Sequence, residues 1–180
     1  MAAKILSELI GLTFSGMDEP KDHGYVAANI LRASIWGTMG SGATALVSFI
    51  FSRYLIQNEC WKSIAPHVIK ATLSSCGTFA AAAAYLVYKF KTTEVYTENS
   101  SKTLNARVSL FAKSSAMVGL IGAAAAALAT KYVQSNTQVS SVAKHSFYPL
   151  LGLGVAALAI RLFQIYLNRQ LTRSKYRELD

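Results

Sequence analysis

Acidic residues are scarce in this chain and missing altogether from its long apolar stretches. Nine of the 180 residues are aspartate or glutamate, against 18 lysines and arginines, for a formal net charge of +9. None of the nine falls within Ala33–Ser52, Ala71–Tyr88, Ser114–Thr130 or Ser146–Ile160. That absence excludes a carboxylate proton relay or cation-coupling site inside those runs, because both need an ionisable group facing the path. Cysteine is almost as rare. Cys60 and Cys76 are too few for a disulfide framework, and neither has a second ligand at metal-binding spacing. The chain also lacks a phosphate-cradling glycine loop, an HExxH pair and a serine elbow. His23, His67 and His145 are scattered singly, in the amino-terminal arm or at helix ends. The sequence therefore predicts no enzyme, no cofactor and no metal. Nor are the basic residues gathered on one polar helix with interleaved aromatics, so no nucleic-acid partner is expected.

What the chain has in quantity is apolar surface: 52% of residues are hydrophobic and 15% charged, and the charges cluster between apolar blocks. A helix needs about 20 residues to span a hydrocarbon core of about 30 Å. Ala33–Ser52 meets that length alone. The second and third runs are slightly shorter, but Lys70, Lys89, Lys113 and Lys131 bracket them, and their stems reach headgroups from just inside. The fourth run ends at Arg161, beyond which Leu162, Phe163, Ile165, Tyr166 and Leu167 continue it. Arg161 is expected to snorkel to an interface, the alternative being an inward-facing charge. The expected fold is all-α: an integral membrane bundle of four transmembrane helices with an N-terminal amphipathic interfacial helix. Residues 1–32 form the arm, residues 33–167 the bundle and residues 168–180 a basic tail. The spans are placed at about 33–55, 68–90, 110–131 and 146–167, with three spans plus one interfacial segment as the fallback.

In the arm, Ile5, Leu6, Leu9, Ile10 and Thr13 fall on one helical face, as in a helix lying in an interface or packed on the bundle. No cleavable signal peptide is expected there. Pro66 is placed in the first turn of the second helix, and polar loops at Lys91–Ala106 and Gln134–Ser141. Thirteen basic residues fall on the side of the termini and middle loop: Lys4, Lys21, Arg32, Lys89, Lys91, Lys102, Arg107, Lys113, Arg161, Arg169, Arg173, Lys175 and Arg177. Arg53, Lys62, Lys70, Lys131 and Lys144 fall on the other. The positive-inside rule then puts both termini on the cytoplasmic or matrix side.

Helices in lipid associate through close packing of small residues, because burying apolar side chains gains little there. Ser34, Gly37, Ser41, Thr44 and Ser48 make such a stripe on the first span, Gly119, Gly122 and Ala126 on the third, and Gly152 and Ala156 on the fourth. These are the expected helix-packing positions, serving the bundle itself or association with other copies or other membrane proteins. Arg169, Arg173, Lys175 and Arg177 of the tail, with Lys89 and Lys91, are the expected contacts to anionic lipid headgroups or a protein partner.

The stretch Ala83-Ala-Tyr85-Leu-Val-Tyr88-Lys89-Phe-Lys91, then a polar loop and Arg107-Val108, resembles the hypoxia-induced-gene family of two-helix mitochondrial inner-membrane domains. The resemblance covers about Pro66–Tyr132. Asn105 and Phe111 stand where that family carries a His or Arg before the key Arg and a Gln after it, so the motif is incomplete. It implies an accessory role at respiratory complexes. Paired apolar hairpins also resemble secreted bacterial effectors that insert into host membranes. The leading expectation is a non-enzymatic membrane protein acting through assembly, as accessory subunit, scaffold or effector. The second is a small pore or carrier, lined after oligomerisation by Ser34, Ser41, Thr44 and Ser48.

Overall fold

The structure is a computed structural model that describes residues 23–55, 59–92, 98–133 and 137–177. Among them every regular element is helical: α1 (His23–Ile50), continued by a π-helical turn (Phe51–Leu55), α2 (Glu59–Thr92), α3 (Glu98–Tyr132) and α4 (Thr137–Arg177). All four long helices contain a window long and apolar enough to cross a membrane. The predicted amphipathic segment Lys4–Phe14 lies outside the described residues.

Local chemistry favours these helices. Alanine, the best helix former, fills Ala80–Ala84 and Ala123–Ala127. Hydroxyl side chains in the apolar windows bond back to the carbonyl one turn earlier. Thr38 donates to Ser34 O, Thr44 to Gly40 O, Thr72 to Val68 O and Thr130 to Ala126 O, each at 2.8 Å. These bonds let the four threonines sit in apolar surroundings without an unsatisfied donor, whereas the buried Ser34 hydroxyl has no hydrogen-bond partner among the described residues.

The helices run well beyond the apolar runs, which corrects three local expectations. First, Glu98–Ala106 opens α3 where sequence reading places a loop. Ser101, Leu104, Asn105 and Val108 make a buried face there, and packing sustains the helix despite its polar composition. Second, α4 begins at Thr137, so residues 137–141 are helical too. Third, α2 begins at Glu59, where Lys62 Nζ lies 3.1 Å from Glu59 Oε1, leaving Pro66 in the helix interior. Pro66 and Pro149 each remove the amide that would bond the carbonyl four residues earlier.

Two antiparallel pairs, α1 with α2 and α3 with α4, join chiefly through α2 against α4. The packing differs from end to end. At the end carrying the α2–α3 connection (the core end), one cluster draws on all four helices. Val26, Ile30 and Leu31 of α1 meet Leu86 of α2, Leu104 and Val108 of α3, and Ile160, Leu167 and Leu171 of α4. Toward the opposite, hairpin end the buried apolar residues shrink to Ala45, Ala65, Ala123, Ala126 and Ala143. Large side chains there point outward instead: Leu46, Val47 and Phe49 of α1, Met117, Val118, Ile121 and Leu128 of α3.

Candidate functional site

Two kinds of contact hold the helices at close range. Glycine makes the first. No described glycine adopts a positive φ, so these residues serve by lacking a side chain, not by permitting an unusual backbone. A Cβ on Gly152 would run into the Ala71 carbonyl of α2, and one on Gly119 into the Gly154 backbone. A Cβ on Gly37 would meet the Phe79 ring at 2.7 Å, and one on Gly122 would meet Leu150 at 3.1 Å. Gly40 and Gly77 have nothing within 4 Å of that position and face outward.

The structure spreads the remaining small positions unevenly. Ser34, Ser48, Ala126 and Ala156 are buried, and Ser41 is half-buried with its hydroxyl 2.5 Å from Gly37 O. Thr44 is exposed, and its neighbour Ala45 takes the inward place. Of the four hydroxyls considered for a pore wall, Ser34, Ser41 and Ser48 thus sit on the inward face of α1 and Thr44 on the outward one. Between α2 and α4, Ser74 Oγ donates to Pro149 O at 2.7 Å and Ser75 Oγ to Gly152 O at 3.0 Å. Sequence reading passes over Gly154, Ser74 and Ser75, because nothing in a single apolar run says which helix lies opposite.

The second kind of contact is an amide cluster at the core end, between the start of α3 and the second half of α4. Gln164 is only 1% exposed, yet every polar atom of its side chain is engaged. Arg161 Nη1 donates to Gln164 Oε1 at 2.7 Å. Gln164 Nε2 donates to the Asn105 carbonyl at 2.7 Å and also to Asn105 Oδ1. Asn105 Nδ2 passes the chain on to Asn168 Oδ1 at 3.0 Å. Donors and acceptors run in one direction, from guanidinium through three amides, an arrangement in which each bond polarises the next. Sequence reading places Arg161 at an interface or facing inward. The structure shows a half-buried guanidinium fixed by a buried amide.

At the hairpin end, His67 stacks on Tyr148 with ring centroids 4.2 Å apart, and Phe147 meets Tyr148 edge-on. His67 Nδ1 and Trp61 Nε1 are buried there without a hydrogen-bond partner. An open depression of about 480 Å³ lies nearby, lined by Thr130, Thr137, Ser140, Ser141 and Lys144. Among the predicted contact cations, Arg169 and Arg173 are exposed, and Lys89 Nζ lies 5.5 Å from the centroid of the Tyr88 ring. The side chains of Lys91, Lys175 and Arg177 fall outside the described set. Among the described residues no three His, Cys, Asp or Glu side chains gather as metal ligands. Comparison with protein-family models, curated proteins and solved structures finds no match for the chain.

Proposed function

We propose that this chain is an integral membrane protein that spans the bilayer four times and works through assembly rather than catalysis. It acts as an accessory subunit, scaffold or membrane-inserted effector. The observation that carries this reading is the inversion of side-chain size across the bundle. Small residues line much of the interior, while a belt of large apolar side chains faces out: Trp36, Met39, Val47, Leu110, Met117, Val118, Ile121, Leu158 and Leu162. Only 17% of the apolar window of α1 and 39% of that of α4 is buried within the protein, so most of this surface needs an apolar solvent. Monomeric proteins in water rarely carry apolar patches beyond a few hundred Å². Hydrocarbon accepts such a belt, and helices packed through glycine and serine match what holds helices together in lipid.

The sidedness rests on the sequence count, 13 basic residues on the side of the core end against 5 on the other, and the positive-inside rule assigns the richer side to the cytoplasm or matrix. Both termini belong to that side, together with the α2–α3 connection. Partners are other membrane proteins or further copies of this chain, with anionic headgroups at the core end. A carbonate wash tests the insertion. The untagged protein is expected to stay with the membrane pellet at high pH, and its release to the supernatant would overturn the reading. Mild-detergent purification then tests assembly, which predicts co-purifying membrane proteins or a homo-oligomer; a lone monomer would count against it.

A further inference from the structure

Arg161 interrupts the last apolar stretch and carries a charge that the described protein does not neutralise. Only Glu59 and Glu98 of the acidic residues fall in the described segments. Glu59 sits at the hairpin end beside Lys62. Glu98 is seven residues before Asn105, about 10 Å further along α3 and away from the level of Arg161. Among the described residues the guanidinium's side-chain partner is the neutral oxygen of Gln164, at 2.7 Å from Nη1.

Depth makes that charge consequential. Gly154 lies near the middle of the apolar run of α4, and its partner Gly119 lies toward the core-end edge of that of α3. Arg161 is seven residues beyond Gly154, about 10 Å along the helix, whereas half the hydrocarbon core is about 15 Å. Measured along α4, its Cα therefore sits close to the hydrocarbon edge and its side chain reaches headgroup level. Ordinary snorkelling leaves a long side chain free to wander. Here the buried chain Gln164–Asn105–Asn168 holds the guanidinium in one orientation. A guanidinium has five N–H donors in a planar fork that matches two phosphate oxygens, and the bond to Gln164 occupies one.

We propose that Arg161 anchors a binding site for one anionic phospholipid in the core-end leaflet. The guanidinium grips the phosphate with two parallel hydrogen bonds, the amide chain aims it, and the acyl chains lie along the apolar surface of α4 near Leu158 and Leu162. A net negative lipid is required, because a choline headgroup already neutralises its own phosphate. Exposed Arg169 and Arg173 lie two to three turns further out and contribute only diffuse attraction. The site rests on the four-span reading.

The test uses the full chain, delipidated in detergent and then reconstituted into phosphatidylcholine vesicles with or without phosphatidylglycerol. Retained phosphatidylglycerol is measured by native mass spectrometry and the gain in thermal stability by unfolding. Wild type is expected to retain phosphatidylglycerol and gain stability from it. R161Q keeps an N–H donor for Gln164 Oε1, so it preserves the fold while losing affinity by about tenfold. R161K is expected to fall in between, having charge without the fork, and R169Q/R173Q to match wild type. The proposal is overturned if R161Q retains the lipid as wild type does, if the loss follows R169Q/R173Q instead, or if inorganic phosphate in detergent stabilises the protein equally. Flotation of the vesicles separates the two levels. Protein that fails to float removes the four-span reading together with the site, whereas protein that floats without preferring phosphatidylglycerol removes only the site.

Discussion

The core end and the hairpin end of this bundle are held by different means. At the core end, branched and aromatic side chains from four helices interlock around Ile30, Leu86, Val108 and Ile160, and an amide chain ties α3 to α4. Further along, toward the hairpin end, α2, α3 and α4 meet backbone to backbone at Gly119, Gly152 and Gly154, and two serine hydroxyls reach across to α4 carbonyls. Large side chains fill space but keep helix axes apart. Glycine and alanine bring axes together and gain dispersion over many atoms at short range. One helical bundle thus uses a bulky lock at one end and close approach along the rest.

The largest expected effect comes from pushing the close approach apart. G152V places a Cβ on the Ala71 carbonyl, where backbone on both sides leaves no flexible group to yield. It is expected to cost about 3 kcal/mol or more, read as loss of resistance to unfolding in mixed micelles. G77V, on an open face, is expected to stay within about 0.5 kcal/mol of wild type. Equal effects from the two would erase the distinction between inward and outward glycines.

Truncation at the bulky lock comes next. L86A removes a fully buried side chain. In lipid the water-transfer part of its cost is absent, and the cavity and lost contacts leave about 2 kcal/mol. The same unfolding measurement on L110A, which faces outward, is expected to show almost no change.

The amide chain gives a smaller and more informative difference. Q164L strands Arg161 and Asn105 and is expected to cost about 1–2 kcal/mol. Adding N105L removes one stranded partner as well, so the double variant is expected to lose less than the sum of the two single ones. Strict additivity in that double-mutant cycle would mean the amides act independently. Smallest of all, S74A and S75A each remove one interhelical hydroxyl bond, at about 0.6 kcal/mol apiece.

Much of this architecture is legible in the sequence, for a definite physical reason. A bilayer demands long uninterrupted apolar helices, and Ala33–Ser52 or Ser114–Thr130 announce them by composition alone. Where helices end is harder to read. The polar stretch Glu98–Ala106 is helical because Leu104 and Asn105 pack against the second half of α4, a partner more than 50 residues away in the chain. Side-chain facing is legible to within one position. The small stripe on α1 meets α2 at Gly37, but Ala45 takes the inward place beside Thr44. The pairing of Gly119 with Gly154 and the Asn105–Gln164–Asn168 chain depend on the register between helices, which no periodicity within one helix encodes.

The central claim is that hydrocarbon surrounds the outward belt, and a spin label placed on that belt measures its solvent directly. In a background of C60S and C76A, a nitroxide attached at V118C and one attached at K102C are compared in vesicles by their relaxation with dissolved oxygen and with a water-soluble nickel chelate. The label at position 118 is predicted to meet oxygen freely and the chelate hardly at all, with the reverse at position 102. Equal exposure of both labels to the chelate would contradict the account.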